Sequence, residues 1–357
     1  MATAKETRHG ALGLDRERLL TMYGQMVLAR AVDRRMWVLN RQGKAPFVIS
    51  GQGHEAIQVA AATALRPGTD WLVPYYRDLA FCLALGQTAR DFMLSVFGRA
   101  EDPNSGGRQM PSHFGSARLR IMTKSSVVGT QICHAAGIAY AAKMRGLDEV
   151  AVTCIGEGGT SQGDWHEGLN WAGVHRLPFI CVVQDNDYAI SVPHRLQMGV
   201  DSVAKRAIGY GIAGVTVDGG DLLASYDAMK AAVERARAGD GATLISANVA
   251  RFTSHSSDDD QRRYRPQAEL EALLRRDPIE RFRGYLFDEG VMDEETDDRI
   301  QQECTADVDA AVIYAEAAAS PLAEDTTKNV FAEAQGGRPR AGFAEHGRQG
   351  GLPPPDQ

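Results

Sequence analysis

The chain has 357 residues, of which 44% are hydrophobic and 24% are charged, and its formal net charge is -7. These values are typical of a globular protein with one large domain or two. The acidic balance argues against a surface for nucleic acid or anionic membranes, because both partners require clustered lysine and arginine. The sequence also has no apolar run of the roughly 20 residues that cross a bilayer. We therefore expect no nucleic-acid partner and no membrane association.

Cysteine usage and the N-terminal segment bear on where the chain resides. The five cysteines are scattered and include no C-x-x-C pair, which favours reduced thiols over disulfides or a zinc site. Residues 1–8 lack the apolar core of a secretory signal. They also carry Glu6, which is atypical of a mitochondrial presequence. These features predict a cytoplasmic protein.

The first third of the chain shows helical periodicity. Apolar residues at helical spacing predict a long amphipathic helix over 16–41, with Asp15 as its N-cap. Further helices are expected at 55–65 and 92–97. The stretch 98–115 is rich in glycine, proline and serine and is predicted to be a mobile loop. Residues 1–14 are predicted to be a flexible N-terminus.

From residue 129 onward, helical segments alternate with short apolar runs rich in β-branched residues. Helices are predicted at 129–145, 163–175 and 222–238, and strands at 150–155, 179–183, 215–217 and 243–249. Apolar strands separated by helices are typical of a parallel sheet that helices cover on both faces. The predicted fold class is therefore α/β. Ligands of such sheets bind at the carboxyl ends of the strands.

The C-terminal part returns to helical patterns, at 266–276, 278–287 and 294–318. The last segment is rich in glycine, proline, arginine and glutamine, so it cannot bury enough apolar surface to fold alone. We predict one α/β domain over 15–332, with helical extensions at both ends, and a disordered tail over 333–357.

A glycine motif follows directly on the strand predicted at 150–155. Gly156 and Gly158 would let the backbone approach a ligand, and a helix N-terminus favours an anion such as diphosphate. Between them, Glu157 would supply a hard oxygen for the magnesium that accompanies phosphate groups. Asn186 ends the next predicted strand, where its amide oxygen could reach the same ion. A glycine turn alone is usually a tight connection, and the pairing with Asn186 is what favours a magnesium-diphosphate site.

These two segments resemble the thiamine diphosphate signature, which begins Gly-Asp-Gly or Gly-Glu-Gly and ends in a pair of asparagines. The resemblance extends over about residues 16–332. Supporting motifs, in the right order, are Tyr76-Arg77-Asp78, the run 107–111 with His113, Gly163-Asp164, and the run 254–259 followed by Tyr264-Arg265. The chain is similar to the alpha subunit of the decarboxylating component of 2-oxo acid dehydrogenase complexes. The resemblance implies the thiamine diphosphate-binding fold, a central mostly parallel sheet flanked by helices.

The resemblance also implies a cofactor site. Glu157, Asn186 and the Tyr188 carbonyl would bind magnesium, and His255 would be the catalytic residue that assists acyl transfer to lipoamide, since imidazole can move a proton near neutral pH. Tyr76, Arg77 and His255 would contact the diphosphate, and Arg77 suits this role because a guanidinium donates a fork of hydrogen bonds to phosphate oxygens. The complete set of expected cofactor-binding residues is Tyr76, Arg77, Ser126, Val128, Gly156, Glu157, Gly158, Gly159, Asn186, Tyr188, Ile190 and His255.

A potassium ion is the second metal that the resemblance suggests. Some members of the family hold this ion at the positions that match Ser125, Val127, Thr130 and Gln131. The alternative for this segment is a helix N-terminus with polar caps and no ion.

The sequence departs from the family pattern at the end of the second strand. Gln184 stands where branched-chain members carry an arginine that supports the diphosphate, and Asp185 stands where an asparagine is common. Loss of the arginine is expected to weaken cofactor affinity. Ser246 and Ala250 replace a glutamate and a tyrosine expected before Arg251, which puts the packing of the loop around His255 in doubt.

The resemblance implies partners as well. Activation of thiamine diphosphate requires a glutamate that this family carries on its beta subunit, and the chain has no room for a second domain of this type. We expect a heterotetramer of two alpha and two beta chains that works with a lipoyl acyltransferase component. The chain would be an oxidoreductase that decarboxylates a 2-oxo acid and transfers the acyl group to lipoamide.

The substrate and the class of function leave alternatives open. The runs 109–111 and 254–259 resemble branched-chain members slightly more than pyruvate members, so 3-methyl-2-oxobutanoate is the favoured substrate. A pyruvate or acetoin dehydrogenase alpha subunit is the alternative. Two other classes are a non-catalytic paralogue with an assembly role and a transketolase-like enzyme without a lipoyl partner.

Overall fold

The core of the fold is a parallel sheet. The computed structural model describes residues 7–328, and the described residues up to Ser320 form one compact unit. The strands are β1 (Trp71–Val73), β2 (Ala151–Gly156), β3 (Phe179–Asp185), β4 (Tyr188–Ala189), β5 (Val192–Pro193), β6 (Ala213–Asp218) and β7 (Thr243–Asn248). One sheet has the order β1-β2-β3-β7-β6 with parallel neighbours throughout, while β4 and β5 form a small antiparallel hairpin. The predicted strands are all present, as β2, β3, β6 and β7, whereas the short strands β1, β4 and β5 were not predicted.

Helices cover both faces of this sheet. In the described residues they are α1 (Arg8–Ala11), α2 (Arg16–Arg41), α3 (Glu55–Ala64), α4 (Leu79–Ala84), α5 (Ala89–Val96), α6 (Thr130–Met144), α7 (Gly163–Val174), α8 (Leu222–Arg237), α9 (Gln267–Leu274), α10 (Pro278–Asp288) and α11 (Glu294–Ala317). Alternate residues of β3 enter separate apolar clusters: Ile180 and Val182 pack with α2 and α3, whereas Phe179 and Cys181 pack with α6 and α7. The predicted α/β fold with a sheet between helices is therefore confirmed.

The ends of the helices follow local capping chemistry. The Asp15 carboxylate accepts a hydrogen bond from the Arg18 N–H at 2.8 Å, as expected for the N-cap of α2. The helix predicted at 92–97 begins earlier, at Ala89, because Thr88 and Asp91 form a capping box. Within the described residues, no helix combines the length and apolarity that a membrane crossing needs.

The segments outside the regular elements differ in part from expectation. In the predicted flexible N-terminus, Arg8–Ala11 form a helical turn instead, and Arg8 pairs with Asp221 at 2.9 Å. The predicted loop 98–115 contains no helix or strand, and the buried Asp102 carboxylate accepts hydrogen bonds from several of its backbone N–H groups. Pro321 begins a separate unit that contains a short 3-10 helix, Ala323–Thr327. The predicted domain end at 332 and the tail 333–357 lie outside the described residues.

Candidate active site

The site begins where β2 and β3 end. These strands are parallel neighbours and pair Gly156 with Gln184, so the residues that follow each strand meet at one edge of the sheet. The Asn186 N–H donates to the Glu157 carboxylate at 3.3 Å. The glutamate and the asparagine, 29 positions apart in the sequence, therefore share one location, as the parallel pairing predicts.

Glu157 and Asn186 form a buried pair to which no lysine, arginine or histidine of the described residues bonds. The Glu157 side chain is 1% exposed, and its other oxygen accepts from Gln197 Nε2 at 3.1 Å. Burial and the nearby Asp185 carboxylate raise the pKa of Glu157. No described Lys, Arg or His forms an ion pair with it, and the buried Asn186 Oδ1 accepts no hydrogen bond from the described residues. A carboxylate oxygen beside a free amide oxygen is a donor set that suits Mg²⁺.

The glycines of the motif have separate roles. A Cβ on Gly158 would lie 2.4 Å from Ala189 Cβ, and one on Gly159 would lie 2.6 Å from Ile155 Cδ1, so both glycines are needed for packing. A Cβ on Gly156 would meet nothing within 4 Å, so there the backbone faces open space. The motif forms a 3-10 helix, Glu157–Ser161, before α7 begins.

The turn that carries Tyr188 and Ile190 is strained. Ile190 has a φ of 56°, a left-handed conformation that is costly for a β-branched residue. The fully buried Arg251 holds this turn, since its Nη2 donates to the Ile190 carbonyl at 2.9 Å and to the Tyr264 hydroxyl at 3.0 Å. Its Nη1 lies 3.5 Å from the Tyr188 carbonyl, the expected magnesium ligand, and this is at most a weak contact.

Arg77 fixes the protonation state of His255. Arg77 Nη1 donates to the Ser50 carbonyl at 2.6 Å, and Nη2 donates to His255 Nδ1 at 3.0 Å and to the His255 carbonyl at 3.1 Å. Because a guanidinium only donates, Nδ1 must be the acceptor, and the proton of the neutral ring is on Nε2. Burial, Arg77 and Arg251 lower the pKa of His255 to about 4. His255 is therefore a neutral imidazole with an Nε2–H donor.

Tyr76 lies at the centre of the basic end of the site. Its ring centroid is 5.2 Å from the Arg77 guanidinium carbon, 6.0 Å from the His255 ring and 5.3 Å from Lys124 Nζ. The structure thus brings together the three residues that were expected to contact the diphosphate. It adds Lys124, which sequence reasoning missed.

One cavity unites the predicted cofactor residues. Its volume of about 430 Å³ falls within the range of small-molecule sites. The lining contains every expected cofactor-binding residue, together with Phe47, Ile49, Tyr75, Met110, Pro111, His113, Lys124, Gln162 and Ala189. The additional lining residues come mostly from irregular segments; Met110, Pro111 and His113 belong to a motif noted in the sequence, and no spacing marks the others.

The expected potassium ligands lie outside this lining, at the N-terminus of α6. The Thr130 hydroxyl donates to the Val127 carbonyl at 3.2 Å, and the Val127 N–H donates to Ser125 Oγ at 3.1 Å. Gln131 accepts from the Gly129 N–H at 3.0 Å and donates to the Cys154 carbonyl at 3.0 Å. Ser125, Val127 and Thr130 thus bond to one another, and the Gln131 amide bonds to two backbone groups; no side chain caps the first turn of α6.

Gln184, where an arginine was expected, belongs to a buried polar network. Its Nε2 donates to the Asp78 carboxylate at 2.7 Å, and its Oε1 accepts from Gln58 Nε2 at 2.8 Å. Burial raises the pKa of Asp78 to about 7. The uncharged Gln184 side chain therefore bonds to other buried side chains and supplies no positive charge to the cavity.

The fold and the site together define an α/β protein with a small-molecule-sized cavity at the carboxyl edge of its sheet. The model of the dehydrogenase E1 component family matches residues 23–324, and the chain belongs to this family. Membership implies dependence on thiamine diphosphate. The predicted family and the predicted oxidoreductase class are thereby confirmed.

Individual relatives within the family differ in their sequence identity to this chain. The chain is 49% identical to the 2-oxoisovalerate dehydrogenase subunit alpha of Bacillus subtilis over 326 residues, which cover 91% of this chain and 99% of that protein. It is 40% identical to the 3-methyl-2-oxobutanoate dehydrogenase subunit alpha of Mycobacterium tuberculosis, covering 82% of this chain and 76% of the relative. It is 37% identical to the pyruvate dehydrogenase E1 component subunit alpha of Staphylococcus aureus, covering 83% and 77% respectively.

Proposed function

We propose that this chain is the alpha subunit of a thiamine diphosphate-dependent dehydrogenase for branched-chain 2-oxo acids, with 3-methyl-2-oxobutanoate as its main substrate. The higher identities to relatives named for 2-oxoisovalerate and 3-methyl-2-oxobutanoate, 49% and 40% against 37% for pyruvate, support this substrate class. All five cysteines are free thiols, so a reducing cytoplasmic location is part of the proposal.

The observation that carries the proposal is the buried, cation-free pair of Glu157 and Asn186. We infer that both side chains, with the Tyr188 carbonyl, hold a magnesium ion that accompanies the cofactor's diphosphate. Uncompensated buried charge and an unpaired amide oxygen are costly for the free protein, and a divalent cation would offset both. Ser125, Val127 and Thr130 already bond to one another and Gln131 bonds to backbone groups, so their geometry gives no independent support for potassium.

The remaining residues would position the cofactor and handle protons. When bound, thiamine diphosphate supplies a nucleophilic carbon and an electron sink for decarboxylation of a 2-oxo acid. Gly156 leaves room for close approach, and Val128 and Ser126 line the cavity beside it. The Nε2–H of His255 would donate a hydrogen bond within the cavity, oriented by Arg77.

The proposal includes a beta subunit, in a heterotetramer of two alpha and two beta chains, and a lipoyl acyltransferase component. Apolar side chains that this chain leaves exposed support a protein partner: Val174 on α7 is 68% exposed and Ile208 is 83% exposed. The beta subunit would complete the active site with the glutamate that activates the cofactor.

The test is to co-express the chain with its beta subunit and measure turnover of several 2-oxo acids with thiamine diphosphate and Mg²⁺. We expect kcat/KM for 3-methyl-2-oxobutanoate to exceed that for pyruvate by about tenfold or more, as expected for pockets that differ by a few methyl groups. Absence of turnover with every 2-oxo acid would overturn the proposal.

A second test concerns His255. His255→Gln should retain decarboxylation measured with an artificial electron acceptor but lose acyl transfer to lipoamide, because only the second step is assigned to this imidazole. His134→Gln, at an exposed position on α6, is the matched control and should affect neither step. Unchanged lipoamide-linked activity in His255→Gln would refute the role of His255.

A further inference from the structure

Lys124 is a buried lysine whose ammonium has no hydrogen-bonding or ion-pairing partner among residues 7–328. It precedes α6, lines the cavity and is 4% exposed. Its backbone N–H donates to the Phe114 carbonyl at 3.2 Å, which fixes the segment. Its ammonium makes no hydrogen bond or ion pair with any residue between 7 and 328. Buried lysines are rare unless they are paired, so this one calls for a ligand.

The nearest acidic group does not meet this need. The Asp78 carboxylate accepts from Gln184 Nε2 at 2.7 Å and from the Tyr75 N–H at 2.9 Å, so both of its oxygens are engaged elsewhere. Lys124 Nζ lies over the ring of Tyr76, whose centroid is 5.3 Å away. That cation–π contact is favourable but leaves all three N–H donors available.

The other permanent cation of the cavity, Arg77, uses three of its five N–H donors within the protein. Arg77 directs one Nη to the Ser50 carbonyl and the other to His255. His255 itself is neutral, because burial, Arg77 and Arg251 lower its pKa to about 4. Among the cationic residues that line the cavity, Lys124 therefore keeps all of its N–H donors for an incoming anion, whereas Arg77 keeps two of five.

We propose that Lys124 anchors the diphosphate of the cofactor and supplies the positive charge that Gln184 does not. This inference rests on the proposed function, because it assumes that thiamine diphosphate occupies the cavity. Lys124 is assigned to the diphosphate and not to the substrate carboxylate because it shares the Tyr76 ring with Arg77 and His255, the basic end of the site. Magnesium neutralises only part of a diphosphate's charge, so a second cation beside Arg77 is favourable.

The experiment uses the chain in complex with its beta subunit and measures thiamine diphosphate binding by calorimetry at saturating Mg²⁺. Lys124→Met should weaken binding roughly 10- to 100-fold, the loss expected for a charge-assisted hydrogen bond. Lys124→Arg, which keeps the charge, should recover most of the affinity. Inorganic pyrophosphate, used as a competing probe, should lose affinity for Lys124→Met in parallel.

Two controls separate ligand binding from folding. Lys205→Met removes an exposed lysine that pairs only with Asp201 and should leave cofactor affinity unchanged. The midpoint of thermal unfolding of cofactor-free Lys124→Met should stay the same or rise, since the change removes an unpaired buried charge.

Three outcomes would overturn the inference. The first is cofactor affinity in Lys124→Met equal to that of the unchanged complex. The second is unchanged cofactor affinity with a raised KM for the 2-oxo acid, which would assign Lys124 to the substrate carboxylate. The third is failure of the unchanged complex to bind thiamine diphosphate, which would contradict the proposed function and, with it, the role of Lys124.

Discussion

Two buried glutamates, Glu55 and Glu157, differ in whether a cationic side chain of the described residues pairs with them. Glu55 begins α3 and accepts from Arg30 Nε at 2.6 Å and from the Gly53 N–H at 2.7 Å. Arg30 also bonds to Asp277 at 2.8 Å, so the carboxylates raise its pKa although burial alone would lower it. Glu157 is equally buried, yet it accepts only from neutral donors.

The two surroundings point to two roles, a structural one for Glu55 and a ligand-binding one for Glu157. A buried carboxylate that has its own arginine stabilises the native arrangement, and removal of either partner leaves an uncompensated charge. A buried carboxylate without a cation destabilises the free protein and is retained because a ligand supplies the cation. Neutralising Glu157 should therefore weaken ligand binding without lowering stability, whereas neutralising Arg30, the partner of Glu55, should lower stability without weakening ligand binding.

The largest expected effect is on ligand binding at Glu157. Glu157→Gln should lower the affinity for thiamine diphosphate with Mg²⁺ by about 100-fold or more, because a charged metal ligand is lost. The unliganded variant should be as stable as the unchanged protein or more stable. Calorimetry and thermal unfolding measure the two quantities. Retained affinity would mean that Glu157 does not hold the metal.

The opposite response is expected at Arg30. Arg30→Met should lower the free energy of unfolding by about 3–5 kcal/mol, since Glu55 and Asp277 lose their cation. Cofactor affinity of the folded fraction should not change. Urea unfolding gives the first value, and adding Glu55→Gln should recover part of the loss. A cost below about 1 kcal/mol would contradict a structural role for this ion cluster.

A pH series extends the comparison to His255. Its pKa of about 4 lies below the ordinary histidine value of 6.5, so the unfolded chain binds the proton more readily. Stability from this group is complete above pH ~6.5 and is lost as the pH falls toward ~4. His255→Gln should make that decline shallower in chemical unfolding, and His134→Gln should not. An equal slope in both variants would show that His255 is not kept neutral by the fold.

The smallest effect concerns the strained turn beside the metal site. Ile190→Asn should stabilise the unliganded chain by roughly 0.5–1 kcal/mol, because asparagine tolerates the left-handed conformation. Ile190 is 53% exposed, so little burial is lost. Val192→Asn, on the same hairpin but outside the positive-φ residues, is the control and should bring no gain. Destabilisation by Ile190→Asn would indicate that packing, and not backbone strain, governs this position.

Much of the fold could be predicted from the sequence because β2 and β3, of six and seven residues, are mostly apolar and rich in β-branched residues. The three-residue β1 and the six-residue α4 are too short for a period to be recognised. The meeting of Glu157 and Asn186 followed from parallel pairing of adjacent strands.

Contacts between irregular segments could not be predicted. Gln197 reaches Glu157 from a segment 40 positions away, and Lys124 meets Tyr76 across the cavity. Gly53 also has a reason that no pattern shows, because a Cβ there would lie 2.0 Å from the backbone carbonyl oxygen of Ala250. The contact explains the glycine and does not explain the small side chain of Ala250. The Ser246 hydroxyl is buried without a partner among the described residues, and nothing in the structure explains it.

The most direct test of the central claim is a calorimetric titration of thiamine diphosphate into the complex with its beta subunit, with Mg²⁺ and then with the divalent cations chelated. If the pair of Glu157 and Asn186 is a cation site, binding should be saturable with Mg²⁺ and should disappear on chelation. Equal affinity with and without Mg²⁺ would contradict the account.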